Sequence, residues 1–143
     1  MKKKILISTG GSGGHVLPAI TIYDHLKYSC ETSISTDIRG LKYLDEEHYK
    51  PIIINTPKLN NLFLLPIALI KVIFLTIKSL IILKKKKISI LVSTGGYMSL
   101  PLCLAAKILN IKIFLIEPNM VLGRANKFFL NFSEKLLSYS KNL

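Results

Sequence analysis

Short runs of strand length, most of them apolar, alternate along this chain with longer segments that place apolar residues at helical spacing. The runs predict strands at 4–9, 32–36, 51–55, 88–93 and 111–116, and a sixth strand is expected to begin within 135–139. The segments between them predict helices at 16–28, 39–47, 66–83, 99–109 and 123–132. Strand and helix therefore alternate over the whole sequence.

Most of the predicted strands are apolar throughout rather than alternating between apolar and polar residues. Such strands are typical of a parallel sheet whose two faces are both covered by helices. Strands separated by helices also indicate βαβ units. The sequence therefore predicts an α/β fold with a Rossmann-like, doubly wound parallel sheet. A length of 143 residues suits one domain, and we expect residues 1–143 to form it.

The chain is strongly basic, with 20 Lys and Arg residues against 8 Asp and Glu and a formal net charge of +12. This balance favours an anionic partner, which the charge alone leaves open between nucleic acid, an anionic membrane surface and a phosphorylated substrate. Cys30 and Cys103 lie far apart in sequence and are expected to be free thiols in a reducing compartment. The apolar run after the first lysines is too short for a secretory signal, so a cytoplasmic location is expected.

A glycine-rich segment, Gly10-Gly11-Ser12-Gly13-Gly14, lies between the first predicted strand and the first predicted helix. Glycine lets the backbone approach a ligand closely, and the free N–H groups of the following helix suit a phosphate or diphosphate. His15 adds a hydrogen-bonding side chain at the same point. The segment is not a dinucleotide-binding motif, because Val16 occupies the place of the third glycine, and it is not a P-loop. A tight turn without a ligand is the alternative.

Two further segments follow predicted strands in the same way. Gly95-Gly96-Tyr97 comes after the fourth strand, and Glu117-Pro118-Asn119 comes after the fifth. Because ligands bind at the carboxyl ends of parallel strands, these segments are expected to face the same crevice as the first. Asn119 offers a donor and an acceptor to a sugar or a diphosphate, and helix capping is its alternative role.

The three segments together resemble the motifs of the MurG family of glycosyltransferases. GGSGGHVLPA at 10–19 is similar to the family's GGTGGHVFPA signature, and GGYMS at 95–99 is similar to its GGYVS turn. EPN at 117–119 with GRANK at 123–127 is similar to its EQN and G-ANK stretch. The resemblance covers nearly the whole chain and implies the N-terminal half of a two-domain GT-B glycosyltransferase. Such enzymes transfer N-acetylglucosamine from UDP-N-acetylglucosamine to undecaprenyl-pyrophosphoryl-muramoyl-pentapeptide in peptidoglycan synthesis. The reaction inverts the anomeric centre of the donor, and we expect no metal or other cofactor.

The resemblance also implies roles for individual residues. The implied substrate-binding positions are Ser12, Gly13, Gly14, Gly95, Gly96, Tyr97 and Asn119. His15 matches the histidine of the signature and is expected to act as general base on the acceptor hydroxyl or to donate to a diphosphate oxygen, with both roles open. Two positions depart from the family pattern. Ser12 replaces threonine and keeps the hydroxyl, whereas Pro118 replaces glutamine and lacks both its amide and a backbone N–H.

The most hydrophobic stretch, residues 62–83, is expected to lie on a membrane surface. A spanning helix would bury Lys71 and Lys78 in lipid at about 2.5–3.5 kcal/mol each and would divide the sheet. An interfacial helix instead combines its apolar surface with lysines that contact anionic lipid. The expected docking lysines are Lys71, Lys78, Lys84, Lys85, Lys86 and Lys87. A core helix followed by solvated lysines is the alternative. With the resemblance, docking indicates a peripheral protein on the cytoplasmic face of the bacterial inner membrane.

The resemblance leaves the donor half of the reaction unassigned. In this family a second Rossmann-like domain holds most of the nucleotide sugar, and 143 residues have no room for it. A truncated or split gene, a degenerate remnant, or a partnership with a separate donor-binding chain would explain this, and the isolated chain is expected to be inactive. A nucleic-acid-binding module is disfavoured, because the lysines cluster beside an apolar helix and no binding motif is present. A non-catalytic membrane scaffold is the remaining alternative.

Overall fold

The structure is a computed structural model that describes residues 2–57 and 63–139. Within these residues six strands form one sheet in the order β3-β2-β1-β4-β5-β6, and every neighbouring pair is parallel. The strands are β1 (Lys4–Ser8), β2 (Glu31–Thr36), β3 (Ile52–Ile53), β4 (Ile90–Ser93), β5 (Lys112–Glu117) and β6 (Lys135–Ser138). The strand order reverses between β1 and β4, which confirms the predicted Rossmann-like sheet.

Helices join successive strands and cover both faces of the sheet. They are α1 (Gly13–Leu26), α2 (Ile38–Leu41), α3 (Glu46–Tyr49), α4 (Leu65–Lys85), α5 (Leu100–Ile108) and α6 (Arg124–Phe129). A turn of 3-10 helix precedes α5 at Tyr97–Ser99, and another follows α6 at Leu130–Phe132. Both α4 and α5 carry proline at the start of the first turn, where the missing N–H has no intrahelical partner to lose.

Successive residues of the central strands point to opposite faces and supply two hydrophobic cores. The core on the α1 face contains Ile5, Ile7, Val16, Ala19, Ile34, Leu44 and Val92. The core on the α4 and α5 face includes Leu6, Leu83, Leu91, Leu102, Ile113, Leu115 and Phe129. Because both faces are buried, the strands need apolar residues on both sides, which explains their lack of alternation.

The segment after β2 differs from the single helix predicted at 39–47. Two short helices, α2 and α3, occupy it, and each begins at an aspartate. Asp37 accepts from the backbone N–H of Gly40 at 3.0 Å, and Asp45 accepts from the backbone N–H of His48 at 3.2 Å. Each cap starts a new helix, because its carboxylate binds N–H groups that have no partner in the first turn.

Two other predicted bounds change. Helix α1 begins at Gly13, three residues before the predicted start, so that His15 lies within its first turn. Strand β3 contains only Ile52–Ile53 rather than the predicted 51–55. It lies at the edge of the sheet and pairs only with the last two residues of β2, Ser35 and Thr36.

Helix α4 runs along the sheet from its carboxyl edge toward its amino edge. Just beyond the helix, the backbone N–H of Ser89 donates to the carbonyl oxygen of Lys4, at the first residue of β1. A helix of 21 residues is about 30 Å long, so its two ends lie near opposite edges of the sheet. The lysines at 84–87 therefore lie at the amino edge, away from the glycine-rich segments.

Candidate functional site

The first two glycine-rich segments meet where the strand order reverses. Gly10 and Gly11 follow β1, Gly96 follows β4, and all three have positive φ, at 150°, 79° and 81°. The side chain of Met98 fills the space between the segments. A Cβ on Gly11 would lie 2.6 Å from Met98 Cε, and a Cβ on Gly96 would overlap Met98 Sδ. Glycine is required here both for the backbone conformation and for the contact between the two segments.

His15 connects the same two segments through its imidazole. Its Nδ1 lies 2.7 Å from the carbonyl oxygen of Thr94. Because a carbonyl oxygen only accepts, this contact assigns the hydrogen to Nδ1, and in the neutral ring Nε2 is then the acceptor. Nε2 lies 3.9 Å from the position that a Cβ on Gly96 would take. The fold thus presents a nitrogen with a free lone pair beside the second glycine-rich segment.

A cavity of about 660 Å³ opens beside His15 at the carboxyl edge of the sheet. It is lined by His15, Gly96, Tyr97, Leu100, Glu117, Asn119, Gly123, Arg124, Ala125 and Phe128. His15 comes from the first turn of α1 and Leu100 from the start of α5, and the others come from the segments after β4 and β5 and from α6. The volume suits a small-molecule ligand, and the lining combines apolar and aromatic groups with a few polar ones, as ligand sites do.

The sequence-predicted site residues separate into two groups in the structure. His15, Gly96, Tyr97 and Asn119 line the cavity. The other four, which do not line it, are Ser12, Gly13, Gly14 and Gly95. Gly95 is buried under Asn126, because a Cβ at this position would lie 2.9 Å from Asn126 Nδ2.

The first turn of α1 contains Ser12, Gly13 and Gly14. Ser12 is the N-cap, and its hydroxyl makes no capping hydrogen bond. Within residues 2–57 and 63–139, the backbone N–H groups of Gly13 and Gly14 have no acceptor, as is usual at a helix start. Ser12 and Gly14 are exposed, so these donors face solvent at the positive end of a 14-residue helix.

Glu117 lines the cavity and organises the segment that follows β5. It ends β5, is 1% exposed, and its two carboxylate oxygens accept four hydrogen bonds. Oε1 accepts from the backbone N–H and Nδ2 of Asn119 at 3.1 and 2.9 Å. Oε2 accepts from the backbone N–H of Gly123 at 2.8 Å and from Nδ2 of Asn126 at 3.0 Å. Burial raises the pKa of Glu117, but these bonds outweigh it and hold the pKa below its usual value. Glu117 is therefore an ionised structural acceptor.

A second buried carboxylate, Asp37, lies beside the first glycine-rich segment. Its Oδ1 accepts from the backbone N–H groups of Gly11 and Gly40 at 2.8 and 3.0 Å. Its Oδ2 accepts from Nε and Nη2 of Arg39 at 2.8 and 2.7 Å. The Arg39 guanidinium carbon in turn lies 5.0 Å from the ring centroid of Tyr97. Burial raises the pKa of Asp37, but the hydrogen bonds from Gly11, Arg39 and Gly40 keep it below its usual value.

The sequence analysis did not assign site roles to Glu117, Asp37 or Arg39. Glu117 and Asp37 each stand at the carboxyl end of a strand of the parallel sheet, and that position is a signal that could have identified both. Arg39 carried no such signal, because its contact with Tyr97 depends on the packing of α2 against the 3-10 turn before α5, which is distant in sequence.

The outer surface of α4 is apolar and exposed. Among the described residues α4 is the one helix long and apolar enough to cross a membrane by length and composition, and 22% of its most apolar window is buried. Its buried residues are Ala68, Val72, Thr76, Ser79 and Leu83. Its exposed apolar residues include Ile67, Leu69, Ile70, Ile73, Phe74, Ile77 and Ile81. The predicted docking lysines, at 71, 78 and 84–87, are all exposed.

The fold defines an α/β domain with a cavity at the carboxyl edge of a doubly wound sheet, where such domains bind their ligands. Residues 5–138 match the family model described as the glycosyltransferase family 28 N-terminal domain. The chain belongs to this family.

Two relatives of this chain carry the same name. The chain is 56% identical over its full length to the UDP-N-acetylglucosamine--N-acetylmuramyl-(pentapeptide) pyrophosphoryl-undecaprenol N-acetylglucosamine transferase of Pelagibacter ubique, and it covers 40% of that protein. It is 40% identical to the protein of the same name from a Wolbachia of Brugia malayi, over 91% of this chain and 37% of that one. The crystal structure of Acinetobacter baumannii MurG superposes with a TM-score of 0.82 at 24% identity, over 98% of this chain and 42% of that one. The chain thus spans about 40% of the length of the relatives it matches.

Proposed function

We propose that this chain is the acceptor-binding half of an N-acetylglucosaminyltransferase that converts undecaprenyl-pyrophosphoryl-muramoyl-pentapeptide to its N-acetylglucosaminyl product. The observation that carries the proposal is Nε2 of His15, which lies beside a cavity lined by the second glycine-rich segment, the segment after β5 and α6. The names of the relatives support the substrate class. We further propose that the donor, UDP-N-acetylglucosamine, is held mainly by residues beyond these 143, on the same or a separate polypeptide.

In the proposed reaction, His15 is the general base. Nε2 takes the proton of the attacking sugar hydroxyl, whose oxygen forms a bond to the anomeric carbon of the donor. The bond from that carbon to the UDP oxygen breaks, UDP leaves with the bonding electrons, and the anomeric configuration inverts. The hydrogen bond from Nδ1 to Thr94 supports this role, because it leaves Nε2 unprotonated in the neutral ring. Donation from Nε2 to a diphosphate would instead require the imidazolium.

We assign the acceptor diphosphate to the mouth of the cavity. The N–H groups of Gly13 and Gly14, which have no acceptor among the described residues, and the hydroxyl of Ser12 directly precede His15 in the chain and would bind the phosphate oxygens. These residues are outside the cavity lining, which is the arrangement expected if the sugar occupies the cavity and the diphosphate remains nearer to solvent. Gly96, Tyr97 and Asn119 would then contact the sugar rather than the phosphates.

Transfer of labelled N-acetylglucosamine to a lipid-linked acceptor analogue in anionic vesicles tests the function. The chain is assayed alone and fused to the remaining C-terminal part of the Pelagibacter ubique relative. Transfer is expected from the fusion and not from the chain alone. A fusion that transfers no sugar, but whose acceptor half still binds the analogue, would indicate a non-catalytic acceptor-binding scaffold. Turnover by the highly purified chain alone would refute the proposed division of the donor site.

We also propose that the chain docks peripherally on the cytoplasmic face of the bacterial inner membrane through α4. The exposed apolar side of this helix supports partial insertion, and the exposed lysines at 71, 78 and 84–87 support attraction to anionic headgroups. Lys84–Lys87 would contact the headgroups at the amino edge of the sheet rather than beside the cavity.

Replacing Phe74 with aspartate is expected to weaken binding to anionic vesicles by roughly tenfold or more, because a buried Phe contributes about 1.5–3 kcal/mol and the new charge is repelled. Phe74 is 68% exposed, so the fold should tolerate the change. Sedimentation with phosphatidylglycerol-containing vesicles measures it. The matched control is Tyr28→Asp, because Tyr28 is also aromatic and 79% exposed but lies beyond the end of α1. Equal binding by the two variants would exclude α4 as the docking surface.

A further inference from the structure

A cluster of three side chains links the first glycine-rich segment to the wall of the cavity. Asp37 binds the backbone of Gly11 through Oδ1 and the guanidinium of Arg39 through Oδ2, and Arg39 stacks on Tyr97. Neither Asp37 nor Arg39 lines the cavity, whereas Tyr97 does. The cluster therefore has no direct place in the proposed chemistry, yet it touches two of the segments that form the site.

We propose that Arg39 is a positioning residue of the acceptor site: held by Asp37, it fixes the Tyr97 ring relative to the first glycine-rich segment. This inference rests on the proposed function, because it assigns Tyr97 to the wall that contacts the acceptor.

The orientation of Arg39 is set by two contacts to one oxygen. Nε and Nη2 both donate to Asp37 Oδ2, at 2.8 and 2.7 Å, so the guanidinium plane has little rotational freedom. Asp37 is itself immobile, because it is buried and its other oxygen accepts two backbone N–H groups. The Arg39 side chain remains 41% exposed, so it is not needed to fill the core.

Tyr97 needs an external support because of its place in the chain. It directly follows Gly95 and Gly96, two residues with positive φ and no side chain to pack, and it begins the 3-10 turn before α5. Stacking of a guanidinium on an aromatic face is a directional contact that lysine reproduces poorly. Arg39 is placed to hold the ring in one orientation at the cavity.

The cluster also couples the two sides of the site. One carboxylate, Asp37, holds the turn after β1 through Gly11 and, through Arg39, the turn after β4 at Tyr97. Asp37 is unprotonated at neutral pH, so these contacts exist together. Without Arg39, Asp37 would still bind the backbone of Gly11 in the turn after β1. Only the contact that holds the Tyr97 ring would be lost.

A double-mutant cycle on the isolated chain tests the inference. The probe is farnesyl-pyrophosphoryl-muramoyl-pentapeptide, which carries both the sugar and the diphosphate, and calorimetric titration is the measurement. Arg39→Gln is expected to weaken binding roughly five- to tenfold in the wild-type background, the range of one cation–π contact. In the Tyr97→Ala background the same change is expected to have almost no effect. Arg39→Lys should restore only part of the affinity. Lys112→Gln, which removes a charge at the amino edge, is the control and should leave affinity unchanged.

Each outcome of the cycle decides the role of Arg39. Equal losses in both backgrounds would overturn positioning and make Arg39 a direct ligand of the diphosphate. No loss in the wild-type background would also overturn it. Melting temperatures of all variants are measured alongside, and unchanged values with weakened binding are expected.

A ligand-free measurement separates this inference from the proposed function. In NMR spectra of the free chain, Arg39→Gln is expected to move the ring resonances of Tyr97, whereas Lys112→Gln should not. If the wild-type chain binds no diphosphate probe, the proposed function fails and the Tyr97 resonances still decide whether Arg39 positions the ring. Unmoved Tyr97 resonances would reject the positioning role, whatever the affinity of the wild-type chain.

Discussion

Replacing His15 with alanine is expected to reduce sugar transfer by roughly 10²- to 10⁴-fold, the usual contribution of a general base. The effect should fall on kcat more than on KM, because Nε2 acts on the proton of the hydroxyl in the transition state. The rate is measured in the fusion of this chain to the C-terminal part of the Pelagibacter ubique relative. The Nδ1 hydrogen bond to Thr94 makes this prediction specific, since it leaves a single nitrogen free.

The matched control for this prediction is His25→Ala. His25 lies in the same helix, in its last turn, and is exposed. Its removal should leave the rate within about twofold of wild type, since surface substitutions away from a site have small effects. A variant at His15 that keeps kcat but raises KM would point to diphosphate binding and would contradict the assigned base.

Replacing Glu117 with alanine is expected to destabilise the fold by about 3 kcal/mol, the largest stability effect we predict. Four hydrogen bonds would be lost: the one from Asn126 is buried, and those from Gly123 and Asn119 are partly buried. Glu117→Gln should also destabilise, because its amide group would face two donors that need an oxygen. Urea unfolding followed by circular dichroism measures both variants.

The effect of Glu117 should depend on pH. The folded-state pKa of Glu117 lies below its usual value, so its stabilising contribution is full above the unfolded-state pKa and declines as pH falls through the folded-state pKa. The stability difference between wild type and Glu117→Gln should therefore shrink in acid. Asn119→Ala, which removes an exposed side chain, is the control and should cost about 1 kcal/mol or less. A difference that grows in acid would show that Glu117 is protonated in the native state.

Local signals explain why the sheet and its ligand edge were predictable. Continuous apolar strands such as β4 and β5 require burial on both faces, and glycines directly after β1 and β4 mark turns at the carboxyl ends. Both features depend on residues within one short segment. Family motifs in the same segments added the glycosyltransferase class, which the family match supports.

The details of the site depended on contacts that no single segment contains. Helix α1 begins at Gly13 rather than at Val16, and this places His15 in the first turn, where it reaches Thr94 across the sheet. Ser12, three residues earlier, is exposed for the same reason. The Arg39–Tyr97 contact joins α2 to the 3-10 turn before α5, which is distant in sequence, so no periodicity along the chain could indicate it.

The two short helices after β2 begin at capping residues that the helical spacing of the segment did not reveal. Asp37 and Asp45 are both good N-cap residues, and each begins a separate helix. The apolar spacing across 39–47 nevertheless suggested one continuous helix. A capping residue within a helical pattern therefore predicts the start of a new helix, even where the spacing of apolar residues is continuous.

The direction of α4 along the strands has a consequence for how a lipid would enter. A membrane that receives the exposed side of α4 lies roughly parallel to the strands, so the carboxyl edge of the sheet opens sideways along the bilayer surface and not down into it. An acceptor would then diffuse within its leaflet until its headgroup enters the cavity laterally, with its hydrocarbon tail still in the lipid. The distance between α4 and the cavity, measured perpendicular to the helix axis, would fix the height of the cavity above the hydrocarbon. That height would set the range of headgroups that can reach the cavity without extraction from the membrane.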